Sequence, residues 1–304
     1  MRANNTITAV PGVEVGHWTD LEAATGVTVI NLPEPNLAAF EARGGAPGTR
    51  ETALLAPSMK IETIQALVFA GGSAFGLAAA DGVMTELAAA GRGHPTPAGP
   101  VPIVPAAILY DLFVGANAPP DAAAGAAAYR AKTSDPVPLG TVGAGTGATV
   151  SKWLGFEGMR KAGIGSAATR VGKATIGVLA AVNAVGDVVG LDGTWLTGSP
   201  TLDSPEVEGF RENTTLVAIA TDAKLSKSDL LRLAVRSHDA LAVTLRPAHT
   251  RYDGDIVFAV SCGEEEADLD VLGEAAFSTV AASIISAVKE ATPLAGIPAV
   301  TDHG

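Results

Sequence analysis

The segment LRPAHTRYDGDIVFAVS, residues 245–261, carries a hydroxyl group in a position from which it could act as a nucleophile. Thr250 lies on a short loop, a few residues before an apolar run that is typical of a buried strand. If the chain were cut between His249 and Thr250, the new α-amine of Thr250 would lie beside its own hydroxyl. Because such an amine has a pKa of about 8, a useful fraction of it is neutral at physiological pH and can accept the hydroxyl proton. One residue would then supply both nucleophile and base.

Spacing alone leaves a second interpretation of Thr250 open. Asp253 and Gly254 form a common turn dipeptide, and a threonine just before such a dipeptide is more often a turn residue than a nucleophile. The choice between the two interpretations therefore needs information beyond this loop.

Two glycine-containing segments could contact a substrate through the backbone. Gly72 and Ser73 follow an apolar run and precede a helical pattern, so their N–H groups could bind a substrate carbonyl or carboxylate. Capping of that helix by Ser73 explains the same residues equally well. The run GAGTG, residues 143–147, lacks the G-x-G-x-x-G spacing of a dinucleotide loop, and we do not interpret it as one.

Histidine and cysteine usage argues against a metal site. The five histidines show neither H-x-x-x-H nor H-x-H spacing, and His238 is predicted to be a structural hydrogen-bonding residue. Cys262 is the only cysteine, which excludes an intramolecular disulfide, and it is predicted to be a small residue at the edge of the core. We therefore predict no metal and no cofactor.

Composition and charge favour a globular protein with a large core. Apolar residues make up 47% of the chain and charged residues 17%. The net charge of −12 and the absence of basic runs argue against a nucleic-acid partner. We find neither a signal peptide nor a window that is apolar over the ~20 residues of a membrane span. We expect a cytoplasmic protein with no membrane partner.

The elements that must position Thr250 alternate between strands and helices, which predicts a single-domain α/β fold over residues 1–304. Residues 174–190 are predicted to form a hairpin with its turn at residues 184–187, and such pairs favour mainly antiparallel sheets. Residues 191–213 are predicted to be an exposed loop, where we expect disorder. Further strands are predicted within residues 7–31, 64–72, 101–112 (as a strand or an edge segment), 214–221 and 255–261, and helices over residues 73–91, 120–132, 226–243 and 273–290.

A series of segments closely resembles the P1 family of peptidases, which contains the DmpA aminopeptidases, the β-peptidyl aminopeptidases and the nylon-oligomer hydrolases. The matches run in order from about residue 8 to residue 262. They are VPGVEVGHWTD, GGAPGTRET, VFAGGSAFGLAAADGVM, VPIVPAAILYDL, GAGTGATVSK, GIGSA, NTTLVAIATDAKLSK and RPAHTRYDGDIVFAVS.

The resemblance implies that the protein is made as a precursor and cuts itself once. The cut matches the bond between His249 and Thr250, which would give an α fragment, 1–249, and a β fragment, 250–304, that stay together. The fold implied is a four-layer αββα sandwich with mainly antiparallel sheets, like that of the N-terminal-nucleophile hydrolases but differently connected. Members are usually homo-oligomers, often tetramers of αβ units.

The resemblance also assigns roles to side chains. Lys152 matches a lysine near the nucleophile in the nylon-hydrolase branch, where an ammonium would lower the pKa of the Thr250 amine. Asn183 matches an asparagine that donates to the oxyanion. The family places polar or acidic groups on the last helix, and the nearest matches here are Ser278 and Thr279.

The matching positions on the last helix hold no acid, unlike the nylon-hydrolase branch. Asp253 or Asp255 could take the place of the missing acid beside the Thr250 amine. The sequence therefore does not decide which acid contacts the Thr250 amine.

The function predicted is hydrolysis of amide bonds in small peptides or amide oligomers through a Thr250 acyl-enzyme. Two alternatives stay open: acyl transfer to an amine acceptor, as in the ornithine acetyltransferases, and a ligand-binding relative that never processes itself. The negative net charge is compatible with a cationic or zwitterionic substrate.

Overall fold

Strands and helices alternate along the chain in the computed structural model, which describes residues 4–200 and 212–300. The α-helices are α1 (Ala79–Ala89), α2 (Ala122–Arg130), α3 (Lys227–Thr244) and α4 (Leu269–Lys289). The strands are β1 (Glu14–Asp20), β2 (Thr25–Asn31), β3 (Leu37–Ala42), β4 (Thr49–Arg50), β5 (Ala66–Ala70), β6 (Ala106–Ile108), β7 (Thr149–Val150), β8 (Arg160–Lys161), β9 (Ile164–Val171), β10 (Ala174–Asn183), β11 (Asp187–Val188), β12 (Thr214–Ala223), β13 (Leu245–Arg246) and β14 (Ile256–Glu265).

Two five-stranded sheets form the centre of the fold. The first has the strand order β1-β2-β5-β6-β4, and the second has the order β3-β14-β12-β10-β9. Neighbouring strands are antiparallel in both sheets, except that β5 pairs with β6 and β12 pairs with β14 in parallel. The prediction of an α/β fold with mainly antiparallel sheets is therefore confirmed.

Alternation of apolar side chains explains why the sheets stack. In β5, Leu67 and Phe69 belong to the core between the sheets, whereas Val68 belongs to the core under α1 and α2. In β14, Phe258 packs between the sheets and Val257 packs under α3 and α4. Successive strand residues face opposite sides, so strands that are apolar throughout must be covered on both faces. The result is the predicted four-layer αββα sandwich.

Helix α3 leads directly to the loop that carries Thr250. The side chain of Ser226 accepts a hydrogen bond from the Asp229 backbone N–H, and the Asp229 side chain accepts from the Ser226 N–H in return. This capping box fixes the start of α3, and such caps contribute about 1 kcal/mol. The helix predicted over residues 226–243 is confirmed.

The predicted hairpin over residues 174–190 is wrong. Both edges of β10 are occupied, by β9 and by β12, so the chain after Asn183 cannot fold back on it. Instead β11 pairs with β13, the short strand that follows α3. This pairing brings the residues after Asn183 beside those before Thr250.

Several smaller predictions are also corrected. Ile7–Ala9 forms a 3-10 helix rather than a strand. Of the two alternatives for residues 101–112, the strand is confirmed, since β6 lies between β5 and β4. Ser73 does not cap α1: a 3-10 helix, Ser73–Ala78, starts after Gly72, which has a left-handed backbone with φ 80°. The exposed, disordered loop predicted over residues 191–213 falls in part on residues 201–211, which lie outside the described residues.

Helix α4 corrects the expectation that no window of the chain is apolar enough for a membrane span. Within the described ranges, it is the one helix whose length and apolar composition would suffice to cross a bilayer. Its buried residues, among them Leu272, Val280 and Ile284, pack in the core beneath the second sheet. Core packing accounts for its composition.

Candidate active site

The loop between β13 and β14 holds Thr250 in a fixed, half-buried position. The carbonyl oxygen of Thr250 accepts hydrogen bonds from the N–H groups of Gly45 and Asp253, both at 3.1 Å. Thr250 is therefore tied both to its own turn and to the loop that follows β3.

Asp253 is the direct partner of the Thr250 hydroxyl. Its Oδ2 atom accepts hydrogen bonds from Thr250 Oγ1 at 2.7 Å and from the Thr250 N–H at 2.8 Å. Burial and the neighbouring charge of Asp255 raise the pKa of Asp253 to about 6. A carboxylate with that pKa is ionised at neutral pH yet basic enough to take a proton.

Asp255 contacts the residue on the other side of the same peptide bond. Its Oδ2 atom accepts from His249 Nδ1 at 2.8 Å and from the His249 N–H at 3.2 Å. Its Oδ1 atom accepts from the Thr215 N–H at 2.7 Å, at the start of β12. The two aspartates therefore hold the two residues that flank the predicted cut.

Lys152 and Asn183 form a buried polar pair. Lys152 Nζ donates to Asn183 Oδ1 at 2.9 Å, and Asn183 Nδ2 donates to the Tyr110 carbonyl at 3.0 Å. Burial lowers the pKa of Lys152 to about 7, and the negative charge of Asp253 opposes that shift. At neutral pH, Lys152 is therefore divided between its charged and its neutral form.

The segment after β10 connects this pair to Asp253. The Lys152 N–H donates to the Val185 carbonyl at 2.8 Å, and the Val185 N–H donates to Asp253. At Gly186, a Cβ atom would collide with the Pro247 carbonyl, so only glycine permits the close approach of the two segments. The structure therefore gathers Lys152, Asn183 and Asp253 around one turn beside the Thr250 loop.

Lys161 lies behind this cluster and was not singled out by the sequence. Its side chain is completely buried, and Nζ donates to the carbonyls of Thr146 and Ala148, both at 2.7 Å. Burial lowers its pKa to about 7, against the opposing charge of Asp111. Lys161 holds the segment before β7, and Thr149 of β7 donates its N–H to Asn183 Oδ1 at 3.0 Å.

Asp111 is the acidic counterpart of Lys161. It accepts from the Gly72 N–H at 2.6 Å and from Thr25 Oγ1 at 2.8 Å, and burial raises its pKa to about 6. Single charged residues in apolar surroundings were the only signal in the sequence for this pair. Such a signal does not say that the two charges lie close enough to influence each other's pKa.

The family whose sequence model matches residues 5–301 is Peptidase family S58. The chain belongs to this family. A protein of Mycobacterium tuberculosis, named as an uncharacterized aminopeptidase, is 41% identical over 98% of this chain and 97% of its own length. A 6-aminohexanoate-oligomer endohydrolase of Paenarthrobacter ureafaciens is 32% identical over 84% of this chain and 74% of its own length.

The fold of this S58 peptidase is shared with a solved structure. The L-aminopeptidase D-Ala-esterase/amidase of Ochrobactrum anthropi, described as a variant of the Ntn hydrolase fold, superposes with a TM-score of 0.77 at 23% identity. The match covers 98% of this chain and 91% of that one. The family and fold predicted from the sequence are confirmed, and the chain is a hydrolase of amide bonds.

The S58 chain does not bring the predicted residues of the last helix to Thr250. Ser278 is exposed and lines a surface depression with Thr169 of β9, and Thr279 Oγ1 donates within α4 to the Ala275 carbonyl at 2.7 Å. Neither is a hydrogen-bond partner of Thr250 among the described residues. The alternative that an aspartate of the Thr250 loop contacts its nitrogen is the one that the geometry supports, through Asp253.

The predicted substrate contacts at Gly72 and Ser73 are not supported either. The Gly72 N–H donates to Asp111, and the Ser73 N–H donates to the Leu109 carbonyl at 3.0 Å. Both groups therefore stabilise the fold. Within residues 4–200 and 212–300, no cluster of three or more His, Cys, Asp or Glu residues could hold a metal ion.

Proposed function

We propose that this S58 peptidase is an N-terminal-nucleophile hydrolase that cuts itself between His249 and Thr250 and then uses Thr250 as its nucleophile. The observation that supports this proposal is the bonding of Asp253 Oδ2 to both Thr250 Oγ1 and the Thr250 N–H. A base that contacts both atoms is placed to take a proton from one and to return it to the other.

Self-cleavage then balances as an N-to-O acyl shift followed by hydrolysis. Asp253 removes the proton of Thr250 Oγ1 as that oxygen attacks the His249 carbonyl carbon. The C–N bond breaks, and the Thr250 nitrogen takes the proton from Asp253 and becomes an amine. Water next hydrolyses the ester, which leaves a carboxylate on His249 and restores the Thr250 hydroxyl.

The mature enzyme would use the same atoms on a substrate amide. The neutral Thr250 amine, with Asp253 beside it, takes the hydroxyl proton as Oγ1 attacks, and the leaving amine receives that proton. Water then hydrolyses the Thr250 ester, which releases the acyl fragment as a carboxylate and restores the hydroxyl. The ammonium of Lys152 keeps the pKa of the Thr250 amine low. The remaining N–H of Asn183 Nδ2 donates to the oxyanion, and loss of such a donor lowers kcat by about 10²–10³.

We extend the proposal to substrate and assembly. The relatives are named for aminopeptidase and aminohexanoate-oligomer hydrolysis, which supports small peptides or amide oligomers as substrates. The net charge of −12 is compatible with a substrate that carries a free amine. We propose that fragments 1–249 and 250–304 stay together in a cytoplasmic homo-oligomer, a tetramer of αβ units, without a cofactor.

Intact mass under denaturing conditions tests the central claim. We expect the purified protein to give two fragments that divide before Thr250, and Thr250→Ala to give one uncut chain without activity on amino-acid p-nitroanilides or short amide oligomers. An uncut wild-type chain would instead support a ligand-binding relative. Hydroxylamine added during turnover distinguishes the acyl acceptors, since a hydroxamate that forms as the main product would support transfer to an amine.

A further inference from the structure

His249, the residue before the proposed cut, has an unusual backbone conformation. Its φ angle is +54°, in the left-handed region that residues other than glycine seldom occupy. Among residues other than glycine, asparagine, aspartate and histidine are enriched in this region, and a β-branched residue is a strong outlier there. His249 therefore has to be held in this conformation by its surroundings.

Asp255 holds His249 in place from one side. Its Oδ2 atom accepts from both the backbone N–H and the ring Nδ1–H of His249, so one carboxylate oxygen fixes the residue at two points. Asp255 cannot easily move, because it is buried and its Oδ1 accepts from the Thr215 N–H of the second sheet. The left-handed conformation is thereby tied to the core.

His238 of α3 supplies the other side. Its ring is buried and meets the His249 ring edge-on, with the ring centroids 4.8 Å apart and the planes at 71°. His238 Nε2 lies 3.0 Å from the Glu41 carbonyl, which can only accept, so Nε2 carries the proton and the ring is fixed. The His249 ring is thus confined between His238 and Asp255.

We infer that Asp255 and His238 form a clamp that holds His249 in the left-handed conformation required for self-cleavage, which makes His249 a positioning residue of the processing reaction. The inference rests on the proposed function. A strained conformation persists only where its surroundings determine it, and such strain collects at reacting sites. Here the strain lies next to the C–N bond that breaks, and a free chain end relieves it.

Substitutions at His249 separate the backbone from the side chain. His249→Asn tolerates the left-handed region and keeps a side-chain N–H for Asp255, so we expect it to process within about threefold of wild type. His249→Gly adopts the conformation but donates no side-chain bond, and we expect processing about tenfold slower. His249→Val satisfies neither requirement, and we expect processing at least about a hundredfold slower.

The chain offers a matched control at Ala295. This exposed residue of the C-terminal turn also has a left-handed backbone, with φ +52°. Ala295→Gly relaxes the same conformation away from Thr250, and we expect it to leave the processing rate unchanged. Rates are measured by intact mass at timed intervals after cell-free synthesis of the full chain, and circular dichroism of each uncut fraction confirms that it is folded.

The outcomes distinguish this inference from the proposed function. If wild type stays uncut, or Thr250→Ala is cut, the proposed function fails. If wild type is cut and Thr250→Ala is not, but folded His249→Asn, Gly and Val chains all process alike, only the clamp is refuted. The graded order from Asn to Gly to Val would support it, because a purely structural role would not be rescued by asparagine.

Discussion

One carboxylate oxygen, Oδ2 of Asp253, accepts hydrogen bonds from both the backbone N–H and the side-chain hydroxyl of Thr250, at 2.8 and 2.7 Å. In the proposed self-cleavage, the Thr250 hydroxyl oxygen attacks the preceding carbonyl, and the Thr250 backbone nitrogen leaves. A single group can therefore carry the proton between them without a rearrangement of the loop.

Asp253→Asn should remove the proposed base and keep the size and shape of the side chain. An asparagine fills the same volume but cannot take the hydroxyl proton, so we expect self-cleavage to slow by about 10²–10⁴. Intact mass after timed expression gives the rate. Cleavage at the wild-type rate in this variant would show that another group removes the proton.

Self-cleavage should depend on pH through the same carboxyl group. Burial and Asp255 raise the pKa of Asp253 to about 6, so the group is protonated, and inactive as a base, below that pH. The rate should rise about tenfold per pH unit below 6 and level off above it. Cell-free product held at a series of pH values measures this profile, and a rate that is constant from pH 4.5 to 8 would contradict it.

The mature enzyme should show an alkaline limit that belongs to Lys152. Burial lowers the pKa of this ammonium to about 7, so its charge is lost as the pH rises through that value. Because the charged Lys152 donates to Asn183 Oδ1, loss of the charge makes the Asn183 Nδ2–H a weaker donor to the oxyanion, and we expect hydrolysis to decline there. Arginine stays charged at all accessible pH values, so in Lys152→Arg the decline should disappear even if the rate is lower. A pH profile of kcat/KM that declines equally in both proteins would exclude Lys152 as its source.

The sequence predicts the strands and helices around this site better than the strand pairings and polar contacts within it. Strands such as β5 and β14 and the helix α3 have clear apolar patterns and caps, and the Thr250 loop lies between two of them. The hairpin predicted over residues 174–190 is wrong because two neighbouring apolar runs suggest that they pair with each other. In the structure, β9 and β12 already pair with both edges of β10. Pairing between β11 and β13, which are distant in sequence, decides what surrounds Thr250.

The polar contacts of the site lie beyond what residue patterns can show. The sequence offers Asp253 and Asp255 as possible partners of Thr250, but the conformation of the turn decides which of them contacts Thr250. Ser278 and Thr279 lie on the predicted helix, yet the rotation of α4 directs them elsewhere. Lys161 stands in the sequence without a visible acidic partner, because Asp111, whose charge it feels, follows β6 and is distant along the chain.

Lys161→Met should destabilise the fold through the charge that it leaves behind. The charge of Lys161 favours the ionised form of buried Asp111 across space, so we expect its removal to cost about 1–3 kcal/mol. Asp111→Asn combined with Lys161→Met should cost less than the sum of the single variants, since no unpaired charge remains. Additive losses would contradict an electrostatic coupling between Lys161 and Asp111.

The pH dependence of unfolding provides an independent check on Lys161. The pKa of Lys161 is about 7 in the folded protein, and its ordinary value of 10.5 applies to the unfolded chain. Between pH 7 and pH 10.5 the unfolded chain therefore binds more protons than the folded protein. The Lys161 contribution to the free energy of unfolding should therefore increase as the pH rises from 7 to 10.5, and Lys161→Met should lose this increase. Urea unfolding of both chains in the uncut Thr250→Ala background measures it on a single polypeptide. Equal slopes in the two proteins would mean that Lys161 keeps its charge in the folded state.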